Sequence, residues 1–401
     1  MIITKGRGRK AIIIISAILL VSGLLLAFLG VILFTNETAR RPKTFVGVDV
    51  AYGDENDLYN IANAVSGYTN LIIVGSLNVT QDSSALTRVC DFLYQKGFYF
   101  IVYIGFAASP TSLPPNGPDS DFFTRNQGRW KDKFLGIYVF DEPGGKQIDL
   151  LNAKPAPAAN SNTDAAIHYI LGIESFLALY KNDYYGSPGL QLFTSDYALH
   201  WYDYLCNYDV VFGEFNGKQT RDLAVALTRG AAETMGKRWG TMITWSHPQT
   251  TLENASQLYD DMVYSWQSGA NYIIVFDSPG ENGTATTPYG NITTDQLNAI
   301  KDFWNYAKTN PQPSQNPAET AYVLPTDYGY GFRGPSDTIW GLFAADSLTQ
   351  KIWNDANTLL SQYGQKLDIV YETKTDGVPI NLTYGTLIYW NGTTIQQSQL
   401  A

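Results

Sequence analysis

Eight short runs dominated by Val, Ile, Leu and aromatic residues recur along the chain, and each is followed by a stretch long enough for a helix. They occupy 45–52, 70–76, 98–106, 134–141, 190–196, 209–215, 240–245 and 272–277. Near-continuous apolar strands belong to a parallel sheet covered on both faces. Helices are expected over 55–65, 84–96, 160–181, 220–235, 252–268 and 291–310, with helical spacing such as Leu86, Val89, Phe92 and Leu93. Eight β-then-α units over about 250 residues predict an α/β fold, a (β/α)8 TIM barrel. The alternative is a doubly wound open sheet, but no G-x-G-x-x-G follows the first run.

Function in such a barrel sits where the strands end. Here the ends are acidic: Asp49 on the first, Asp141 and Glu142 on the fourth, Asp196 on the fifth, Glu214 with Asn216 on the sixth, and Asp277 on the eighth. The seventh ends in Trp245 and His247. Like charges gathered at one mouth repel unless something uses or pairs them, and no ring of Lys or Arg accompanies them. Asp49 is read either as a ligand of the first βα loop or of substrate, Asp196 as a helix cap or a site residue, and Asp277 as a turn former or a site residue. Glu214, in FGEFN, is the best partner for Glu142. Tyr52, Tyr103, Tyr138, Tyr197, Trp201 and Trp245 are candidate faces for a sugar ring. Carboxylates with aromatics at a barrel mouth point to glycoside hydrolysis by acid/base catalysis.

The stretch YVFDEPGG, within 138–145, resembles the fourth-strand ending of (β/α)8-barrel glycoside hydrolases, where an Asn-Glu-Pro triplet carries the acid/base glutamate. The resemblance implies Glu142 as general acid/base and Asp141 in the place of the sugar-contacting asparagine. It also implies a nucleophile at the end of strand seven, where GTMITWSHP has no carboxylate. Glu214 or Asp277 would have to substitute. Adjacent strand residues face opposite ways, so Asp141 and Glu142 can share the mouth only if Pro143 marks a turn or bulge. The spaced D-x-D-x-E of chitinases is absent. The missing strand-seven carboxylate leaves a second reading open, a non-catalytic carbohydrate-binding or cell-surface protein. A metal-dependent hydrolase is a weaker third.

Residues 11–34 run without a charge, and roughly 20 apolar residues span a bilayer. Lys5, Arg7, Arg9 and Lys10 precede the run, which places residues 1–10 in the cytoplasm and the bulk outside the cell. Sequons begin at Asn36, Asn78, Asn254, Asn282, Asn291, Asn381 and Asn391, as expected of a glycosylated exterior domain. The expected organisation is an anchor at 11–34, the barrel at 45–310, a Pro-, Gln- and Asn-rich linker at 311–319, and a small α/β module at 320–401. The aromatic stretch 326–341 is read as the contact between module and barrel, or as a lip over the mouth.

A net charge of −10 argues against nucleic acid as a partner. Carbohydrate and membrane are the partners expected, and no cofactor is. Three scattered histidines and two cysteines make no zinc site. Cys90 and Cys206 are expected as free thiols far apart around the barrel.

Overall fold

The computed structural model describes residues 42–105, 118, 122–152, 154–179, 190–216, 220–244, 252–277, 290, 292–313, 316–372 and 384–396. Eight parallel strands close a barrel: β1 Phe45–Val50, β2 Leu71–Val74, β3 Tyr99–Ile104, β4 Phe134–Val139, β5 Gln191–Asp196, β6 Val210–Asn216, β7 Arg238–Thr244 and β8 Tyr272–Asp277. Strand β8 pairs back onto β1, with Phe45 opposite Tyr272 and Val50 opposite Asp277. Every expected strand is present.

The helices around it are α1 Glu55–Val65, α2 Leu77–Thr80, α3 Ser83–Lys96, α4 Phe122–Trp130, α5 Pro143–Asp149, α6 Asn162–Leu179, α7 His200–Leu205, α8 Arg221–Thr234, α9 Ala255–Gln267 and α10 Thr294–Thr309. Their starts follow local chemistry. Asp54 and Asp57 form a capping box on α1, and Thr293 with Gln296 forms another on α10.

Period-two alternation divides the strand residues between two cores. Phe45, Ile73, Tyr99, Ile101, Phe193, Phe212, Tyr272 and Ile274 fill the barrel. Val46, Val48, Ile72, Val211, Ile243 and Val275 face the helices. Strand β4 breaks the alternation. The β3–β4 register shifts between Phe100 and Ile101, opposite Phe134 and Gly136. Gly136 has φ +150°, and a Cβ there would stand 2.0 Å from the Gln191 carbonyl oxygen. After this bulge Tyr138, rather than Ile137, joins the interior core with Leu135.

Beyond the barrel, β9 Thr320–Leu324, α11 Ser347–Tyr363, β10 Leu367–Tyr371, β11 Thr386–Tyr389 and β12 Thr394–Gln396 form a four-stranded sheet, order β10-β9-β11-β12, with its helix. Thr44–Ala401 is one compact unit, so sheet and barrel share a single body. Arg229 of α8 pairs with Asp368 of β10 at 2.8 Å, both sealed from water. The stretch 311–319 is tied down: the Gln312 amide donates to the Ala270 carbonyl at 2.7 Å, and the Asn316 amide to Asp368 at 3.0 Å. Tyr328, Tyr330, Phe332 and Trp340 are buried, and the Trp340 ring packs on Tyr169 and Tyr202. That aromatic stretch is therefore packing, not a lip. Cys90 and Cys206 are free and buried.

The membrane assignment needs correction. Among the described residues no helix is long and apolar enough to cross a membrane, and 11–34 lies outside those residues. The single-pass placement with a cytoplasmic N-terminus is withdrawn on that finding. Of the sequon asparagines, Asn78, Asn254 and Asn391 are exposed, while Asn36, Asn282, Asn291 and Asn381 lie outside the described residues.

Candidate active site

The exit from β4 explains how DEPGG is used. Strand β4 stops at Val139, and Phe140 (φ 56°) and Glu142 (φ 51°) both adopt the left-handed region. Two such residues in three are uncommon and mark a backbone held by its surroundings. They break the alternation, and Pro143 opens α5 at its first turn. The Glu142 amide donates to the Ser195 carbonyl at 3.0 Å, which fastens this corner to β5.

The two glycines follow from the same corner. Asp196 accepts from the Gly144 amide at 2.5 Å and the Gly145 amide at 2.8 Å, at the positive end of α5. It also accepts from the amides of Tyr197 and Ala198. A Cβ on Gly144 would meet the Ala198 carbonyl oxygen at 2.3 Å. Gly144→Ala should therefore push α5 outward and destabilise the fold by about 1–3 kcal/mol. Denaturant unfolding checks this, and an unchanged midpoint would refute the close approach.

Glu214 lies on the inward face of β6, two residues beyond Phe212, and is 4% exposed. Its carboxyl is a close enough neighbour of the Glu142 carboxyl for the two to act on each other's ionisation. Burial, then the neighbouring Asp141 charge, pushes Glu142 up to about 7, while Lys146 pulls it down. Burial first, and Glu142 and Asp141 after it, hold Glu214 well above the usual carboxylate range. Ser195 Oγ and Glu214 Oε1 are hydrogen-bonded at 2.7 Å. The Tyr138 hydroxyl bonds Asp141 Oδ1 and lies 2.7 Å from Ser195 Oγ. Lys146 Nζ lies 3.6 Å from Asp141 Oδ2 and bonds the Asp141 carbonyl.

The remaining expected residues divide by strand parity. Asp277 is one step past inward-facing Phe276 and accepts from the Ile292 amide, just ahead of α10, at 3.2 Å. Asp196 is one step past Ser195 and caps α5. Neither joins the Glu142–Glu214 pair. Asp49 is buried, and its carboxyl is pushed up by burial, then by Asp141 and Asp277. Tyr103 stands edge-on to Tyr138 at 5.1 Å between ring centres. Its hydroxyl is pushed up by burial and the Asp141 charge. Tyr52 is 45% exposed and stands edge-on to Phe276. Asn216 closes β6 half-buried beside Thr244. Trp201 packs against Tyr371 of the sheet, away from the mouth. Trp245 and His247 lie outside the described residues.

Sequence reasoning missed Ser195 and Lys146, and it weighed Tyr138 only as a sugar platform. Ser195 was accessible in principle, since it shares parity with Phe193 on β5.

No family model matches the chain, and no curated protein matches it. Similar solved structures include the catalytic domain of β-amylase from Paenibacillus polymyxa, 8% identical with a TM-score of 0.40, covering 68% of this chain and 99% of that one. Saccharomyces cerevisiae Gas2p in complex with laminaripentaose is 11% identical with a TM-score of 0.39, covering 66% and 65%. A 3-keto-L-gulonate-6-phosphate decarboxylase from Vibrio cholerae is 8% identical with a TM-score of 0.34, covering 66% and 99%. The names span an amylase and a decarboxylase, and likenesses this distant assign no activity to the chain.

Proposed function

We propose that the chain hydrolyses a glycosidic bond in a carbohydrate substrate, with Glu142 and Glu214 as its two carboxyl groups. The observation that carries this reading is the meeting of two largely buried carboxyls from β6 and the β4 corner at one barrel mouth, with Ser195 bonded to Glu214 at 2.7 Å. Two neighbouring buried carboxyls cannot both be ionised at low cost, so one of the pair keeps a proton. Two carboxyls of unlike environment supply the acid and the base of glycoside hydrolysis.

Depth assigns the roles. Glu214 is sealed in the barrel and is the proton donor to the leaving oxygen. Glu142 lies nearer Lys146 and acts as the carboxylate, the nucleophile or the base that activates water. This reverses the role that the resemblance to Asn-Glu-Pro hydrolases implies for Glu142. Tyr52 and Tyr103 offer ring faces to the C–H face of a sugar. Asp141 is placed to meet a sugar hydroxyl.

The test is a panel of plant, microbial and glycoprotein glycans offered to wild type and to Glu214→Gln. Hydrolysis by wild type, reduced by about 10²–10⁴-fold in the variant, is the expected result. Binding without turnover would replace this reading by a non-catalytic carbohydrate-binding protein. Turnover unaffected by the substitution would remove Glu214 from the chemistry.

A further inference from the structure

Four groups from three strand ends form a connected set behind the carboxyl pair: Glu214 of β6, Ser195 of β5, Tyr138 of β4 and Asp141 just beyond β4. Three close contacts link them in series, and Ser195 Oγ also reaches Asp141 Oδ1 directly at the longer distance of 3.3 Å. Glu214 Oε1 lies 2.7 Å from Ser195 Oγ, Ser195 Oγ lies 2.7 Å from Tyr138 Oη, and Tyr138 Oη meets Asp141 Oδ1. Each oxygen–oxygen contact at such a distance needs a proton in it. The two hydroxyls bring only one each. The third proton must come from a carboxyl at one end, so the series holds one titratable proton between Glu214 and Asp141.

The two ends differ. Glu214 is 4% exposed, and the carboxyls of Glu142, Asp141 and Asp196 surround it. The phenols of Tyr138 and Tyr197 face the same group, and β7 sets Met242 beside it. Asp141 is 40% exposed at its side chain and has the Lys146 ammonium 3.6 Å away. The sealed end, away from water and from any cation, keeps the proton.

We infer that Ser195 and Tyr138 form a proton relay through which the buried Glu214 exchanges its proton with the solvent-facing Asp141. In one passage Glu214 Oε1–H passes its proton to Ser195 Oγ. The Ser195 proton moves to Tyr138 Oη, and the Tyr138 proton moves to Asp141 Oδ1. Glu214 becomes a carboxylate and Asp141 a carboxylic acid, with both hydroxyls restored and one proton moved. The reverse passage recharges Glu214. The geometry stands by itself, while the use of the relay to recharge the acid rests on the proposed hydrolase. Ser195 and Tyr138 are positioning residues, since they act through Glu214.

Infrared difference spectroscopy of the full chain reads the protonated carboxyl directly, without any substrate. Wild type at neutral pH should show a carboxylic-acid carbonyl band that is missing in Glu214→Gln. In Ser195→Ala the band's pH midpoint should move by about one unit or more and its exchange in D2O should slow by roughly tenfold, and Tyr138→Phe, which leaves only the 3.3 Å contact of Ser195 with Asp141, should move both in the same direction by less. Ser195→Thr, which restores the hydroxyl, should return both toward wild type. Circular dichroism identifies any variant that fails to fold, and the other variant then decides. The relay is overturned if wild type lacks the band at neutral pH. It is also overturned if midpoint and exchange are unchanged in the folded variants. A relay-dependent band in a protein that cleaves no glycan would support the relay and sink the hydrolase reading. Glycan turnover without the band would do the reverse.

Discussion

Glu142→Gln is expected to lose glycan hydrolysis and gain stability at once. The substituted amide keeps the shape, but it can neither ionise nor attack. The rate should fall by at least about 10²-fold, and by 10⁴-fold where the group acts directly on the reacting atoms. The gain in stability follows from linkage. Glu142 is pushed up to about 7 in the folded chain by burial and the Asp141 charge. An unfolded Glu titrates near 4.3. Between those values the folded state binds more protons, so stability falls as pH rises through that window. The penalty is absent below about pH 4 and complete above about pH 8. Removing the group should therefore add on the order of 1–3 kcal/mol at pH 8, after allowance for its partial exposure, and nothing at pH 4. Denaturant unfolding of both proteins at the two pH values reads this. Equal stabilities at pH 8 would mean that the fold does not hold Glu142 against its preference for water.

Arg229→Ala is expected to be among the most destabilising single changes in the chain. Arg229 is buried in α8, and all three guanidinium nitrogens are hydrogen-bonded. It bonds Asp368 at 2.8 Å and donates to the carbonyls of Ser268, Gln365 and Leu367. Asp368 accepts in addition from Asn316 and from the Tyr384 hydroxyl at 2.8 Å. Deleting the cation leaves a carboxylate buried against neutral donors only, at a cost of about 3–5 kcal/mol. The close approach depends on Gly230, where a Cβ would stand 2.6 Å from the Ile369 carbonyl oxygen. Replacing both partners, as Arg229→Met with Asp368→Leu, should recover much of the loss, because no charge is then stranded. A loss below about 1 kcal/mol for Arg229→Ala would refute this account of the pair. The sheet and barrel should unfold together in all these proteins, since the pair joins them.

The strands were legible because a buried parallel strand is written locally, in four to seven consecutive apolar residues. The same holds for helix caps such as Asp54 and Thr293, whose partners lie three residues away. The site was legible only in outline. Acids at strand ends could be counted, but their use depends on which way each one faces. Parity separates Glu214 from Asp277 and Ser195 from Asp196. Reading it needs the register, and in β4 the bulge at Gly136 shifts that register by one.

By itself the sequence determined the barrel, its eight strands and the arrival of Glu142 and Glu214 at one mouth. Hydrophobic periodicity and chain order suffice for that, and both are local properties. Only the tertiary structure decided that Glu142 and Glu214 act on one another, that Asp196 serves α5 and that Asp277 bonds the Ile292 amide. It alone brought Ser195 and Tyr138 between the acids and packed the aromatic stretch 326–341 against the barrel. Those outcomes turn on hydrogen-bond distances between side chains about 20 to 190 residues apart in sequence, which closure and register set and no local pattern records.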